Sequence, residues 1–420
     1  MRLGIVYHMP FWQTASGEIR EVEGSFARYV DSLAPYFDEI SLCVPVRSTP
    51  AGEGTRVRAA NVRLAPLPYF DGPRQFYPQL AAMRRHIAEW IGTIDLLNCR
   101  VPTPAAWFAF KAARRRGLPV FILVVGDLQA LAPSLPYRGI RRALYGAYTA
   151  YEERAIRRMA GASVTFANGA DLANKHRRQG AEVNETKTTT ISAVDINTRT
   201  DTCQRQPFRA LTVSRIDPRK GLRSLPGAVA RLRDQGHDVQ LDIVGPSVGQ
   251  TGEAERTAIE QSARGAGVAD RVRCLGPVPL DRLLPLYREY DLFVLPTGPG
   301  EGIPRVLLEA MAAGLPIVTT RIAGIPSLIT QEQNGLLLES GDEDSVAGGI
   351  ERIVTDAPLR QRLIRGGYDT AAAHTLERQA AEMMRALAAS TGLTFRAATD
   401  IAGGHSAPAA PELAVRPARA

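Results

Sequence analysis

Short runs of β-forming apolar residues alternate with longer stretches of helical period, and the alternation runs twice, from residue 3 to about 167 and again from residue 208. Parallel strands need crossover connections of a dozen residues or more, usually helices, so strand and helix must take turns along such a chain. Strands are expected at residues 3–7, 40–44, 94–98, 120–125 and 164–167, then at 208–213, 241–244, 272–275, 292–295 and 317–319. Phe26, Tyr29, Val30 and Leu33 fall at i, i+3, i+4 and i+7 and mark a first crossover helix. The longest helix is expected over residues 137–160, where Ile140, Leu144, Ala147, Tyr148, Tyr151, Ala155 and Met159 form one apolar stripe among arginines. A chain of 420 residues suffices for two cores. The expected fold is therefore α/β, with two doubly wound parallel-sheet domains at residues 1–197 and 208–389 and a polar linker at 198–207. The last helices are expected to pack back on the first domain. Residues 390–420, rich in Ala, Gly, Pro and Thr, read as a disordered tail.

Several classes are excluded by simple counts. Apolar residues at 45% and charged residues at 22% fit neither wholesale disorder nor a membrane channel. Cys43, Cys99, Cys203 and Cys274 are far apart and form no CxxC pair, so a disulfide scaffold or zinc site is not expected, and a reducing cytoplasm is. The segment before Pro10 holds too short an apolar stretch for a signal peptide. The most membrane-like window, residues 117–137, carries Asp127 and three prolines and reads as a buried strand followed by a loop.

In open α/β sheets, ligands collect outside the carboxyl ends of the strands. Two loops of the second half are informative there. After residues 208–213 come Ser214, Arg215, Ile216, Asp217, Pro218, Arg219, Lys220 and Gly221. Arg215 and Lys220 suit a diphosphate, since arginine forks two oxygens and lysine supplies a point charge. After residues 292–295 comes a glycine-rich turn holding Gly298, Gly300, Glu301 and Gly302, then Ile303, with Pro304 expected as the first helical residue. A helix start beside glycines offers free amides to an anion. Glu301 and Glu309 are better suited to accepting hydrogen bonds from hydroxyl pairs, and Glu309, among Val306, Leu307, Leu308 and Met311, needs a partner.

These segments resemble a known family. Ser214 to Gly221, the E-x7-E spacing of Glu301 and Glu309, the run from Glu309 to Val318, Gly324-Ile-Pro-Ser and Asn334-Gly335-Leu-Leu-Leu together are similar to the retaining GT-B glycosyltransferases of the group 1 type, glycosyltransferase family 4. Gly24-Ser25-Phe26 and the helix after it resemble the family's glycine loop. The resemblance implies two Rossmann-like domains about a cleft, with a nucleotide-sugar donor held mainly by the second. It implies Arg215 and Lys220 on the diphosphate, the amides of Gly302 and Ile303 facing sugar and phosphate, Glu301 on the donor sugar and Glu309 on the ribose. It also implies transfer to a saccharide or lipid-linked acceptor with retained anomeric configuration, in bacterial surface polysaccharide or glycolipid synthesis. A sugar-nucleotide epimerase and a non-catalytic nucleotide-sugar-binding protein are the alternatives.

Two departures bear on the first domain. Glu23-Gly24 stands where many relatives have adjacent glycines, and Asp127 stands where many have a histidine. Gly24, Ser25, Asp127 and His8 are the candidates there for the acceptor and catalytic side, with a turn-capping role open for Asp127 and a structural one for His8. Asp342-Glu343-Asp344 has the DxD spacing of metal sites in other transferases, but Asp344 reads as a helix cap, so no metal and no cofactor are expected. Among the first 200 residues, 26 are Lys or Arg and 17 Asp or Glu, against 25 and 26 in the remainder. Arg114–Arg116, Arg141-Arg142, Arg157-Arg158 and Lys175–Arg178 cluster that excess, and they are not interleaved with aromatics as nucleic-acid-binding surfaces are. An anionic membrane surface is the expected partner, reached from the cytoplasm as a peripheral protein.

Overall fold

The computed structural model describes residues 1–49, 54–70, 72–131, 139–298, 303–322 and 324–396. Its strands, in chain order, are β1 (Arg2–Val6), β2 (Phe11–Gln13), β3 (Ile19–Glu21), β4 (Glu39–Pro45), β5 (Thr55–Arg56), β6 (Val62–Leu67), β7 (Leu96–Val101), β8 (Val120–Val124), β9 (Val164–Asn168) and β10 (Val183–Thr186). The second half adds β11 (Phe208–Val213), β12 (Val239–Val244), β13 (Val272–Gly276), β14 (Leu292–Leu295), β15 (Ile317–Thr320) and β16 (Leu336–Leu338). They build a seven-stranded sheet ordered β10-β9-β8-β7-β1-β4-β6 and a six-stranded sheet ordered β13-β12-β11-β14-β15-β16. Both are parallel throughout. Helices cover both faces, so the central strands are almost entirely buried and mostly apolar, although β7 carries the buried Asn98 and Arg100.

Strand order decides where a ligand can sit. The chain winds outward from β1 through β4 to β6, then returns to β7 on the other side of β1. In the second sheet it reverses in the same way between β11 and β14. At such reversals the loops leave in opposite directions and open a crevice at the carboxyl ends of the strands. The residues singled out in the sequence flank these two points: His8 follows β1, and the Arg215–Lys220 and glycine-rich loops follow β11 and β14.

The last helix, Leu376–Thr391, belongs to the first domain's core. Its Ala380, Met383, Met384 and Leu387 share one apolar cluster with Phe26, Tyr29, Val30 and Leu33 of the helix Ser25–Leu33. Beyond that helix Phe395 meets Phe37 edge-on at 5.7 Å, while the rest of the expected tail, residues 397–420, lies outside the described residues. Arg28 pairs with Asp195 at the crossover between domains, and Gln379 donates to Thr186 Oγ1 at 3.1 Å. A three-stranded antiparallel sheet, β2-β3-β5, was not expected, because strands of two or three residues carry no measurable period.

The long helix, Gly139–Ala160, departs from its expected role. Its second half is core, with Ala155, Ile156 and Met159 buried. Its first half is not: Ile140 and Leu144 are 77% and 65% exposed, and Tyr151 is exposed as well. The apolar stripe is continuous, but the domain beneath covers only part of it. No described helix is long and apolar enough to cross a membrane.

Glu152, on the buried face of that helix, supplies a stability prediction. Burial pushes its carboxyl up to about 7, against a hydrogen bond from Tyr77 that lowers it. The folded protein therefore keeps a proton that the unfolded chain has already lost. The stabilisation is complete below the ordinary carboxyl value and is lost as pH rises towards 7. Glu152→Gln, which keeps a partner for Tyr77, should remove this dependence. Its melting temperature relative to wild type should climb between pH 4.5 and 7, with a difference on the order of 3 kcal/mol. Parallel melting curves of the two proteins over that range check it.

Candidate functional site

In the second domain, three strand-end loops are pressed together by backbone contacts that only glycine permits. Gly221 has φ +66°, and a Cβ built on it would lie 2.1 Å from the Pro296 carbonyl oxygen. Gly245, with φ +144°, lies against the Ser214 carbonyl in the same way. The Gly298 amide donates to the Arg219 carbonyl at 2.6 Å. The loops after β11, β12 and β14 thus form one rim at the reversal point of the sheet. Asp217 caps the short 3-10 turn Pro218–Lys220 through the Arg219 amide and binds the Arg219 guanidinium at 2.8 Å. That hydrogen bonding holds the Asp217 carboxyl down at about 2. Arg219 is thereby neutralised, whereas Arg215 is exposed and makes no ion pair among the described residues. Lys220, 7% exposed, is held at the end of the turn.

The glycine-rich turn is described only in part. Glu301 and Gly302, with the expected contacts of both, lie outside the described residues. Ile303 is half-buried. Pro304 is not the first helical residue. It is the cap, with ψ 122°, and the helix runs Arg305–Ala312. A proline fits there as well, because its fixed φ suits extended backbone. Glu309 is 4% exposed on this helix. The partners it needs are two hydroxyls: Tyr287 donates at 2.7 Å and Thr190, from the crossover between domains, donates to the other oxygen. Burial and the Glu309 charge together push the Tyr287 phenol well above its ordinary value, so it stays a donor at any working pH.

In the first domain, Gly24 caps the helix Ser25–Leu33 with φ +83°. A Cβ there would lie 2.2 Å from Thr55 Oγ1 and 3.1 Å from Leu280 Cβ, so the glycine loop touches the second domain directly. Ser25 opens the helix and is half-buried. Sequence reading missed Glu21. This buried carboxylate accepts from the amides of Glu23, Phe26 and Ala27 at 3.0–3.2 Å, and burial raises its pKa. The Phe26 and Ala27 amides in the first turn of the glycine-loop helix are therefore already satisfied. Asp127 accepts from the Gln129 amide at 2.9 Å, a turn cap, and also from Lys175 Nζ at 2.9 Å, which bridges to Glu153. His8 is half-buried, its ring 4.4 Å from that of Tyr7, and it lines a cavity of about 510 Å³ with Arg47, Phe70, Pro102, Tyr145 and Tyr148.

The DxD-spaced acids also find protein partners. The helix cap is Asp342, accepting from the Ser345 amide at 2.8 Å, rather than Asp344, which pairs with Arg231 at 2.7 Å. Of the expected basic clusters, His176 contributes no charge: it is buried, and burial lowers its pKa.

Two Rossmann-like domains, each with its loops gathered at a reversal point and touching across Gly24 and Leu280, define the GT-B fold. Residues 201–370, within the second half of the chain, match the family model described as glycosyl transferases group 1. The chain is 33% identical over 176 residues to a D-inositol 3-phosphate glycosyltransferase of Stackebrandtia nassauensis, covering 41% of this chain and 39% of that protein. It is 34% identical over 187 residues to the lipopolysaccharide core biosynthesis glycosyltransferase LpsE of Rhizobium meliloti, covering 44% and 51%. The chain thus spans between about a third and a half of the length of the curated relatives it matches. Among solved structures, Anabaena Alr3699/HepE in complex with UDP and glucose superposes with a TM-score of 0.65 at 18% identity, covering 93% of this chain and all of that one.

The rim makes Gly221 a sharp test. Gly221→Ala should destabilise the protein beyond the roughly 1–2 kcal/mol of a left-handed backbone, because the new methyl also meets the Pro296 carbonyl. Gly236→Ala, with φ +87° and open space around it, should show the backbone cost alone. Thermal unfolding of the two variants orders them.

Proposed function

We propose that this protein is a glycosyltransferase that takes a sugar from a nucleotide-sugar donor and passes it to a saccharide or lipid-linked acceptor with retention of configuration. The observation that carries the reading is the rim of the second domain. It sets an exposed arginine, in no ion pair among the described residues, and a buried lysine beside the start of a helix that bears a buried carboxylate, inside the segment that matches the family.

Departure of a nucleoside diphosphate leaves negative charge on the leaving oxygen. Arg215 and Lys220 would stabilise that charge, and cations held in place before the reaction need no reorganisation during it. Glu309 would take the ribose hydroxyls, exchanging the Thr190 or Tyr287 hydroxyl for a hydroxyl of the ligand. Glu301 would take those of the donor sugar. The first domain would present the acceptor, with Gly24 and Ser25 at the closure point and His8 and Asp127 along the cleft. No metal or cofactor is included in this scheme. Relatives named for lipopolysaccharide core and colanic acid biosynthesis support a setting in surface polysaccharide or glycolipid assembly.

The same reading places the protein on an anionic membrane. Ile140, Leu144 and Tyr151 form an exposed apolar stripe on the long helix, with Arg141 and Arg142 beside it. Apolar side chains entering the headgroup layer and arginines facing its phosphates are complementary to such a surface. Tyr145 and Tyr148 of that helix line the cavity described above, so a lipid-linked acceptor would arrive next to it.

Two experiments test these statements. Calorimetry with UDP, GDP and ADP should find one tight nucleotide, with Lys220→Ala and Glu309→Ala each weakening it about tenfold or more. Wild-type affinity in both variants would show the pocket misassigned. In flotation at low salt, wild type should rise with anionic vesicles and stay down with neutral ones, and the folded double variant Ile140→Asp, Leu144→Asp should not rise. No flotation of wild type would remove the membrane from the proposal.

A further inference from the structure

The first domain holds a fixed cation that has no counter-ion among the described residues. Arg47 follows β4, and its amide donates to the Phe11 carbonyl at 2.8 Å, which sets the start of the side chain. The guanidinium lies over the Tyr69 ring, 4.9 Å from its centre, and donates through Nη2 to the Tyr69 hydroxyl at 2.7 Å. Nε is buried and meets no acceptor, and no carboxylate among the described residues pairs with the group. Several other arginines of this domain are matched, Arg2 with Asp95, Arg20 with Glu18 and Arg28 with Asp195, while Arg100, also with unmet guanidinium nitrogens, is enclosed by the Tyr7, Phe26 and Tyr29 rings rather than lining the cavity. An unmet buried donor costs about 1–3 kcal/mol, and an anion bound there would recover it.

Arg47 stands on the wall of the 510 Å³ cavity, whose size suits one or two sugar rings. Tyr145, Tyr148 and Phe70 give flat apolar faces, and a pyranose presents its C–H face to such rings. Glu23, exposed at the rim beside Gly24, is the acid among the lining residues and is suited to hydroxyls. A neutral sugar would leave Arg47 unanswered. We propose that this cavity takes an acidic sugar unit of the acceptor, its carboxylate or phosphate ester paired with Arg47 and its ring against the two tyrosines. The inference rests on the reading that the first domain presents the acceptor.

Saturation-transfer NMR titrations on the full chain test it with methyl glucuronide, glucose 6-phosphate, methyl glucoside and inorganic phosphate, alongside UDP calorimetry. At least one acidic sugar should bind ten times or more tighter than methyl glucoside, and whichever does names the anion. Arg47→Gln should bring it down to the level of the neutral sugar, Arg47→Lys should fall between, and both should keep the wild-type melting temperature and UDP affinity. Equal binding of methyl glucoside, or acid binding indifferent to Arg47→Gln, overturns the proposal. Inorganic phosphate binding as tightly as glucose 6-phosphate overturns its sugar part. Acid binding through Arg47 without any nucleotide binding would remove the donor reading and leave this one standing.

Discussion

The close approach of Gly221 to the Pro296 carbonyl holds the second domain's site together. It fixes how near the loop after β11 comes to the loop after β14, and with it the distance between Arg215, Lys220 and the helix that carries Glu309. A left-handed residue without a Cβ is the one way to bring two backbones that close while turning into the next helix. Gly245 against Ser214 extends the same device to the loop after β12. The charges that would meet a diphosphate are therefore set by backbone packing at a sheet reversal, which is stiffer than any arrangement of long side chains.

Buried carboxylates organise the rest by the opposite means. Glu21 satisfies three amides at the glycine-loop helix, and Glu309 is satisfied by two hydroxyls. In each case burial raises the cost of an unmet charge, so the hydrogen bonds that meet it specify one local arrangement. Because Glu21 already occupies the start of the helix Ser25–Leu33, that helix end has little left for a donor phosphate. In the proposed function, charge compensation would then fall to the second domain, whose near-neutral composition hides a few well-placed cations.

Much of this was legible in the sequence because it is local. Alternation gave the parallel sheets, and a glycine or proline next to a strand end marked the loops that form the rim. What stayed hidden depends on contacts between distant segments. Thr190 and Glu309 are 119 residues apart, and nothing near either names the other. Arg47 and Tyr69 meet only because β4 and β6 pair. The apolar stripe from Ile140 to Met159 misled for a related reason: helical period states that a face is apolar, and only the packed domain states how much of it is covered.

Thr190 links these two levels. It sits on the crossover between domains, yet its hydroxyl is spent on the carboxylate that would hold the ribose. On the proposed function, a nucleotide at Glu309 would have to compete with a hydroxyl from that crossover, or with the one from Tyr287, which comes from within the second domain's own core. Releasing Tyr287 would unsatisfy a fully buried phenol, whereas releasing Thr190 frees a short side chain on a connecting segment. The cheaper exchange is at Thr190. Donor binding would then loosen one tie between the domains, leaving Arg28 with Asp195 and the returning helix Leu376–Thr391 to carry the hinge.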